Sequence, residues 1–196
     1  PWLDVAKLIT DQKRPALDAI LASSFAAPLV MFTGHRGMML STWSQESGIG
    51  KSTALWAAQA VWGVPSGMQM MDDTANSVMN KIGELRSLPM FWDELKTEEQ
   101  TKKLVNITFN ITQGREKSRM TQSVKQRETG EWQTLLVVAS NDSLIDYVTN
   151  RTSTSPAGLM RVFEYRVPPP GSLGQIDTSA AQRMVARLSH NYGQVG

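Results

Sequence analysis

The chain has 196 residues, of which 41% are hydrophobic and 19% are charged, a balance that excludes a disordered chain and suits a globular domain with a sizeable core. It contains no cysteine, which excludes a disulfide scaffold and any thiolate metal site. The net charge of +2 is too small to indicate nucleic-acid binding by itself, so any such surface must be local.

Predicted strands and helices alternate along the chain. Apolar spacing over 2–24 predicts one or two helices, and we take residues 1–32 as an N-terminal helical segment ahead of a core over 33–196. The predicted strands of the core are 38–43, 68–71, 88–94, 134–141 and 161–167, and its predicted helices are 51–62, 74–87, 97–112 and 178–189. This alternation predicts an α/β fold with about five mainly parallel strands and helices on both faces.

A glycine-containing loop follows the first predicted strand. Its Gly50-Lys51-Ser52 matches the end of the nucleotide P-loop pattern, but Gln45 stands at the position of the pattern's first glycine. Backbone N–H groups of such a loop converge on phosphate, the lysine reaches the β- and γ-phosphates, and the Ser52 hydroxyl ligates Mg²⁺. A flexible turn is the alternative, although it needs no buried strand before it and no helix after it. The predicted nucleotide contacts are Ser47, Gly48, Ile49, Gly50, Lys51, Ser52 and Thr53.

Polar residues at the ends of two later strands fit the same chemistry. Asp93 can complete the Mg²⁺ shell, and Glu94 beside it can orient and deprotonate the attacking water. The alternative is a pair of acids that starts a helix. Asn141, at the end of TLLVVASN, stands where additional-strand NTPases carry a polar sensor for the γ-phosphate; otherwise it is a helix cap or turn residue. The loop, the two acids and Asn141, in this order, favour an NTPase.

Four segments resemble the ATPase domain of phage and plasmid primase–helicases, which are P-loop proteins of the additional-strand class related to AAA+ and superfamily 3 helicases. They are SQESGIGKSTALWAAQAVWG, DDTANSV, LPMFWDE and NYGQVG. The resemblance runs from about residue 25 to the end, and the family usually has a glycine at the position of Gln45. It implies ATP and Mg²⁺ as cofactors and an AAA+-like strand order. Such domains usually continue beyond the NYG segment, so we expect a chain truncated at one or both ends.

A basic segment lies between the second acid and the Asn141 strand. Residues 113–127 carry five basic side chains against the single acid Glu116. In superfamily 3 helicases this interval holds a hairpin that enters the ring channel and grips the phosphate backbone. The resemblance therefore implies sequence-independent, salt-sensitive DNA contacts by Lys117, Arg119 and Lys125. A solvated polar hairpin is the alternative.

Ring ATPases of this kind also use an arginine of the neighbouring subunit to stabilise charge on the transferring phosphoryl group. The resemblance implies a homo-oligomeric ring, with a hexamer favoured, and places this arginine after the sensor strand. Arg161 is the first candidate and Arg151 the second. Ordinary surface arginines are the alternative.

Together these features predict ATP hydrolysis coupled to movement on single-stranded DNA during phage or plasmid replication. A nucleotide-binding regulatory or replication-initiator module that does not translocate is the alternative. A small-molecule kinase is disfavoured, because such kinases usually carry a substrate lid in place of the basic segment. The first residues show no signal-peptide pattern, and the apolar stretch 25–32, with Pro28 inside it, is too short to cross a bilayer. We therefore expect a cytoplasmic protein with no membrane partner.

Overall fold

The computed structural model describes residues 1–64, 74–95, 98–115, 130–151, 160–170, 178–188 and 190–192. In this part of the chain the helices are α1 (Trp2–Thr10), α2 (Pro15–Ala26), α3 (Lys51–Gln59), α4 (Ala75–Leu85), α5 (Glu98–Ile111), α6 (Leu144–Arg151) and α7 (Thr178–Leu188), with a 3₁₀-helix over Ala27–Phe32. The strands are β1 (Gly37–Trp43), β2 (Met90–Leu95), β3 (Thr134–Ser140) and β4 (Val162–Arg166).

The four strands form one parallel sheet in the order β2–β3–β1–β4. Trp43, the last residue of β1, is level with Ser140 of β3 and Arg166 of β4, so the strands end at one common edge, called the carboxyl edge below. The α/β class with a parallel sheet is confirmed. The described residues contain four strands and not the expected five, and the remaining predicted strand, 68–71, lies outside them.

Helices cover both faces of the sheet, because successive side chains of a strand point to opposite faces. On the central strand β3, Leu135 and Val137 join a core that includes buried residues of α1, α2, α3 and α7. Leu136 and Val138 join a second core with buried residues of α4, α5 and α6. All of β3 is buried as a result, which explains why TLLVVAS is the most continuously apolar strand of the chain.

The N-terminal helices are tied to α3 by side chains that donate to its backbone. The Trp2 indole N–H donates to the Ala57 carbonyl at 2.7 Å, and the Ser24 hydroxyl donates to the Ala58 carbonyl, also at 2.7 Å. These carbonyls lie in the last turn of α3, where acceptors have fewer partners within the helix; the Ala58 carbonyl also accepts from the Val61 N–H at 3.3 Å. Helix α3, which follows the glycine-containing loop, is therefore hydrogen-bonded to both α1 and α2.

The stretch Pro15–Phe32 has 18 residues with a mean hydropathy of 1.6, long and apolar enough to cross a membrane by length and composition. This differs from the expectation drawn from residues 25–32 alone. The stretch consists of α2 and the 3₁₀-helix, and its Leu17 and Ile20 are fully buried in the first core. Core packing thus accounts for the apolar residues of α2 that face the sheet, whereas Leu29, Met31 and Phe32 of the 3₁₀-helix are exposed.

Helix α6 is absent from the elements predicted from sequence. The Ser143 hydroxyl caps it by accepting a hydrogen bond from the Asp146 N–H at 3.0 Å. Glu164 of β4 accepts a second bond from the Leu144 N–H at 2.8 Å, in the position where a helix dipole favours a carboxylate. These contacts fix the turn that carries Asn141 at the carboxyl edge.

Gly37 allows the close approach of β1 to the end of α5. A Cβ at this position would lie 2.4 Å from the Ile111 carbonyl oxygen, so Gly37→Ala must push the strand and the helix apart. We expect a loss of about 1–3 kcal/mol in the free energy of unfolding, the usual cost of overpacking, measured by urea denaturation. Gly63→Ala is the matched control, since its nearest atom would be 3.7 Å away; equal losses in both variants would contradict the packing argument.

Candidate functional site

The loop between β1 and α3 has a backbone that glycine makes possible. Gly48 has φ +72° and Gly50 has φ +97°, a left-handed conformation that side chains with a Cβ rarely adopt. Gly50 is the N-cap of α3, and its carbonyl accepts the bond from the Ala54 N–H at 2.9 Å. The N–H groups of residues 51–53 precede that bond, so they have no acceptor within the helix. The loop therefore directs the N-terminus of α3, with these N–H groups, toward the space in front of the helix.

A cavity of about 290 Å³ lies in front of this helix start, at the carboxyl edge of the sheet. It brings together residues that are far apart in the sequence and come from the ends of three strands. Its lining consists of Ser47, Gly48, Ile49, Gly50, Lys51, Ser52, Thr53, Asp93, Ala139, Ser140 and Asn141. All seven predicted nucleotide contacts therefore surround one space, together with Asp93 and Asn141.

Lys51 reaches across this cavity. Its ammonium group donates a hydrogen bond to the Ser44 carbonyl at 2.7 Å and lies 3.5 Å from the Asn141 side-chain oxygen. Burial lowers the pKa of Lys51 from the ordinary lysine value, and the negative charge of Asp93 acts in the opposite direction. The lysine thus links the loop to the end of β3, and its charge faces the same space as Asp93.

The two acids stand at an irregularity of β2. Trp92 pairs with Val138, but the next pair is Leu95 with Ser140, so β2 uses one residue more than β3 over this interval. Such bulges re-aim side chains and are frequent beside active sites. Asp93, in the bulge, lines the cavity. Glu94 lies within β2, but its side chain is outside the described part of the structure.

Sequence reasoning missed Arg14, which lies behind the loop. Its side chain is 4% exposed and donates to the Pro168 carbonyl at 3.1 Å and to the Gln12 side-chain oxygen. A Cβ on Gly50 would lie 3.3 Å from the Arg14 guanidinium. Burial lowers the pKa of Arg14. This arginine therefore connects the loop to the chain that leaves β4, and no local sequence signal marks it as buried.

Of the remaining candidate residues, Arg161 is the one whose side chain is described, and it does not line this cavity. Arg161 precedes β4, at the amino edge of the sheet, and donates to the Thr112 carbonyl at 2.8 Å. It lies across the sheet from the cavity of its own chain, so any contact with a phosphoryl group would have to be in another subunit. The Arg151 side chain lies outside the described part, as do Lys117, Arg119 and Lys125.

The lowered pKa of Lys51 has a consequence for stability. Between the native pKa and the higher pKa of the unfolded chain, the unfolded chain binds more protons, so the free energy of unfolding rises with pH across that window. We expect the stability of the unaltered chain relative to Lys51→Met to increase as pH approaches the ordinary lysine pKa. Urea denaturation of both proteins over an alkaline pH series measures this. A difference that stays constant with pH would contradict the burial effect.

Comparison with known proteins places this site in a wider context. Residues 4–130 match the family described as "Domain of unknown function (DUF927)". A solved structure described as "SCCmec type IV Cch - active helicase" superimposes on 99% of this chain with a TM-score of 0.66 and 18% sequence identity. This chain spans 35% of that protein, about a third of its length. No curated protein matches the chain. At this identity the likeness shows a shared, helicase-like fold.

Proposed function

The chain belongs to the DUF927 family, and from that premise we propose that it is the ATP-hydrolysing motor domain of a replicative DNA helicase of the phage or plasmid primase–helicase type. The carboxyl-edge cavity is its nucleotide site. One observation carries the proposal: a glycine loop, a free helix N-terminus, a lysine and a carboxylate from a neighbouring part of the sheet meet in one space. That set matches the needs of a triphosphate.

The residues present also suit Mg²⁺. In the described part of the chain no group of three or more His, Cys, Asp or Glu side chains could hold a metal ion. Mg²⁺ in nucleotide sites does not need such a cage, because it binds one or two protein ligands together with substrate phosphates. The Ser52 hydroxyl and the Asp93 carboxylate, which line the same cavity, would hold it, and the ion would neutralise charge developing on the transferred phosphoryl group.

The roles of Asn141 and Arg161 are proposed from their positions, and those of Glu94 and Arg151 from the sequence motifs. Glu94 would take a proton from the attacking water, and Asn141, next to Lys51, would contact the γ-phosphate or that water. Arg161, at the far edge of the sheet, is suited only to a neighbouring subunit's site, as a ring requires, and Arg151 is the second candidate. The Lys51–Ser44 bond would give way to bonds with phosphate when ATP enters.

A regulatory or replication-initiator module that binds nucleotide without moving on DNA has the same cavity, so DNA must separate the two functions. The test uses Lys117→Ala, Arg119→Ala and Lys125→Ala combined. The triple variant should keep basal ATP turnover and lose stimulation by single-stranded DNA, because only backbone phosphate contacts are removed. The salt dependence of DNA binding should fall by roughly two units, about 0.7 per contact on a single strand.

The control removes the same number of positive charges from exposed positions on α5 and α7. It combines Lys102→Ala, Arg183→Ala and Arg187→Ala. It should bind and respond to DNA as the unaltered chain does. If the unaltered chain hydrolyses ATP but single-stranded DNA changes neither its turnover nor that of the triple variant, the regulatory function is favoured over the motor.

A further inference from the structure

A second cavity lies at the opposite, amino edge of the sheet. It has a volume of about 560 Å³ and is formed where several elements begin or end. Its lining consists of Met31, Arg36, Arg86, Ser87, Gly114, Arg115, Glu131, Trp132 and Gln133. We call it the arginine cavity, since three of these residues are arginines from three separate parts of the chain. None of them lines the carboxyl-edge cavity.

Positive charge dominates the arginine cavity. The side chains of Arg36, Arg86 and Arg115 are exposed, and Glu131 is the one acid among the described residues of the lining. Within the described residues, no ion pair joins any of the three guanidinium groups to a carboxylate. Guanidinium groups that lack an ionic partner favour an anion, and phosphate matches their planar arrangement of donors.

The backbone around the cavity is fixed by hydrogen bonds. Arg86 has φ +57°, unusual for a residue with a side chain, and its carbonyl accepts from the Gln133 N–H at 3.1 Å. The Gly114 carbonyl accepts from the Trp132 N–H at 3.0 Å. The Trp132 indole donates to the Ile111 carbonyl at 2.8 Å. Two of the arginines are thus attached to a frame that the end of α5 and the start of β3 hold together.

Arg36 is brought to the same frame by a close approach. Gly114 has φ +72°, and a Cβ there would lie 2.4 Å from the Arg36 Cβ. The Arg36 guanidinium also lies 3.3 Å from the Gln113 carbonyl, to which it donates. Only glycine permits this contact, so the backbone at Gly114 places Arg36 beside Arg115. The clustering of the arginines is a consequence of packing and does not depend on their spacing in sequence.

We propose that the arginine cavity binds a phosphodiester group of single-stranded nucleic acid. The choice of phosphate comes from the three guanidinium groups, and the choice of nucleic acid as its source rests on the proposed function. Arg115 and Glu131 pair as an antiparallel bridge at the two ends of the interval that contains Lys117, Arg119 and Lys125. The proposed function assigns that interval to DNA, so Arg115, which precedes it in the sequence, and the other two arginines of the cavity would add contacts to the backbone of the same DNA.

The test removes two guanidinium groups that make no hydrogen bond or ion pair within the described part of the chain, by Arg86→Gln with Arg115→Gln, and leaves Arg36 in its contact with Gln113. The matched control is Arg183→Gln with Arg187→Gln on α7, an equal change in charge at exposed positions. Thermal melting first establishes that both proteins fold. Anisotropy of a labelled oligothymidine is then measured over a salt series, and ATP turnover is measured in parallel.

We expect the double variant to bind the oligonucleotide about tenfold more weakly, with the salt slope reduced by roughly 1.4, or 0.7 per lost contact, while the control binds normally. Basal ATP turnover should be unchanged in both proteins. Equal affinity and equal salt slope in the double variant and the control would overturn the proposal. If the unaltered chain does not hydrolyse ATP, but the double variant still binds the oligonucleotide more weakly than the control, the proposed motor function fails and the arginine cavity remains a nucleic-acid site.

Inorganic phosphate separates the two sources of the anion. If millimolar phosphate raises the melting temperature of the unaltered chain more than that of the double variant, the arginine cavity is a phosphate site, and any rise that both proteins share belongs to the carboxyl-edge cavity. Combined with weaker oligonucleotide binding, that result supports the proposal. Phosphate stabilisation with oligonucleotide binding unchanged would overturn the assignment to nucleic acid.

Discussion

Replacement of Glu94 by glutamine is expected to leave ATP bound and to slow its hydrolysis by roughly 10²–10⁴-fold, the usual contribution of a positioned general base. The amide keeps the shape of the side chain but cannot accept the proton of the attacking water. Lys51, Ser52 and Asp93 would still hold the nucleotide and its metal ion. Phosphate release under single-turnover conditions measures the chemical step, and titration calorimetry measures ATP affinity.

Glu99→Gln is the matched control for this prediction, because Glu99 is an exposed acid in the first turn of α5. Its turnover should equal that of the unaltered chain. If Glu94→Gln also turns over ATP at the normal rate, Glu94 is only an acid near the start of α5, and another group must activate the water.

Removal of the Lys51 side chain is expected to weaken ATP binding by roughly 10- to 150-fold, since hydrogen bonds to charged groups contribute about 1.5–3 kcal/mol. The ammonium group lies between the loop and Asn141, and it faces the cavity where the phosphates would bind. Lys51→Ala removes both the positive charge and the bond to Ser44. Equilibrium binding of ATP in the presence of Mg²⁺ measures the loss.

Two further variants make the Lys51 result specific. Lys102→Ala removes an exposed lysine of α5 and should bind ATP normally. Lys51→Arg keeps the charge but replaces a compact ammonium by a planar fork, so it should restore only part of the affinity. Normal ATP affinity in Lys51→Ala would exclude the loop as the phosphate site.

The sequence predicted the elements that local pattern determines. Hydrophobicity located the apolar run of β3 and the acids after Phe91 and Trp92. The helix predicted over 74–87 is α4, and the side chain of its N-cap, Thr74, accepts from the Ser77 N–H. The glycine loop was located by its residue types, and Gly48 and Gly50 do adopt left-handed conformations. Convergence of the loop with Asp93 and Asn141 followed from the parallel sheet, because parallel strands end at one edge.

Features that depend on distant contacts could not be predicted. Arg14 donates to the carbonyl of Pro168, which follows β4 and comes 154 residues later in the sequence. Helix α6 depends partly on Glu164, which comes 20 residues after Leu144. The bulge at Asp93 appears only when β2 is aligned with β3. The arginine cavity, likewise, exists only because Gly114 lets Arg36 approach.

The most direct test of the nucleotide site is equilibrium binding of ATP to the unaltered chain with Mg²⁺ and with the ion removed by a chelator, beside Asp93→Asn. We predict saturable binding that weakens when Mg²⁺ is removed, and a much smaller effect of Mg²⁺ in Asp93→Asn, because the carboxylate that would hold the ion is gone. A folded chain that shows no saturable ATP binding, or an Asp93→Asn variant with the full Mg²⁺ effect, would contradict the assignment of the carboxyl-edge cavity.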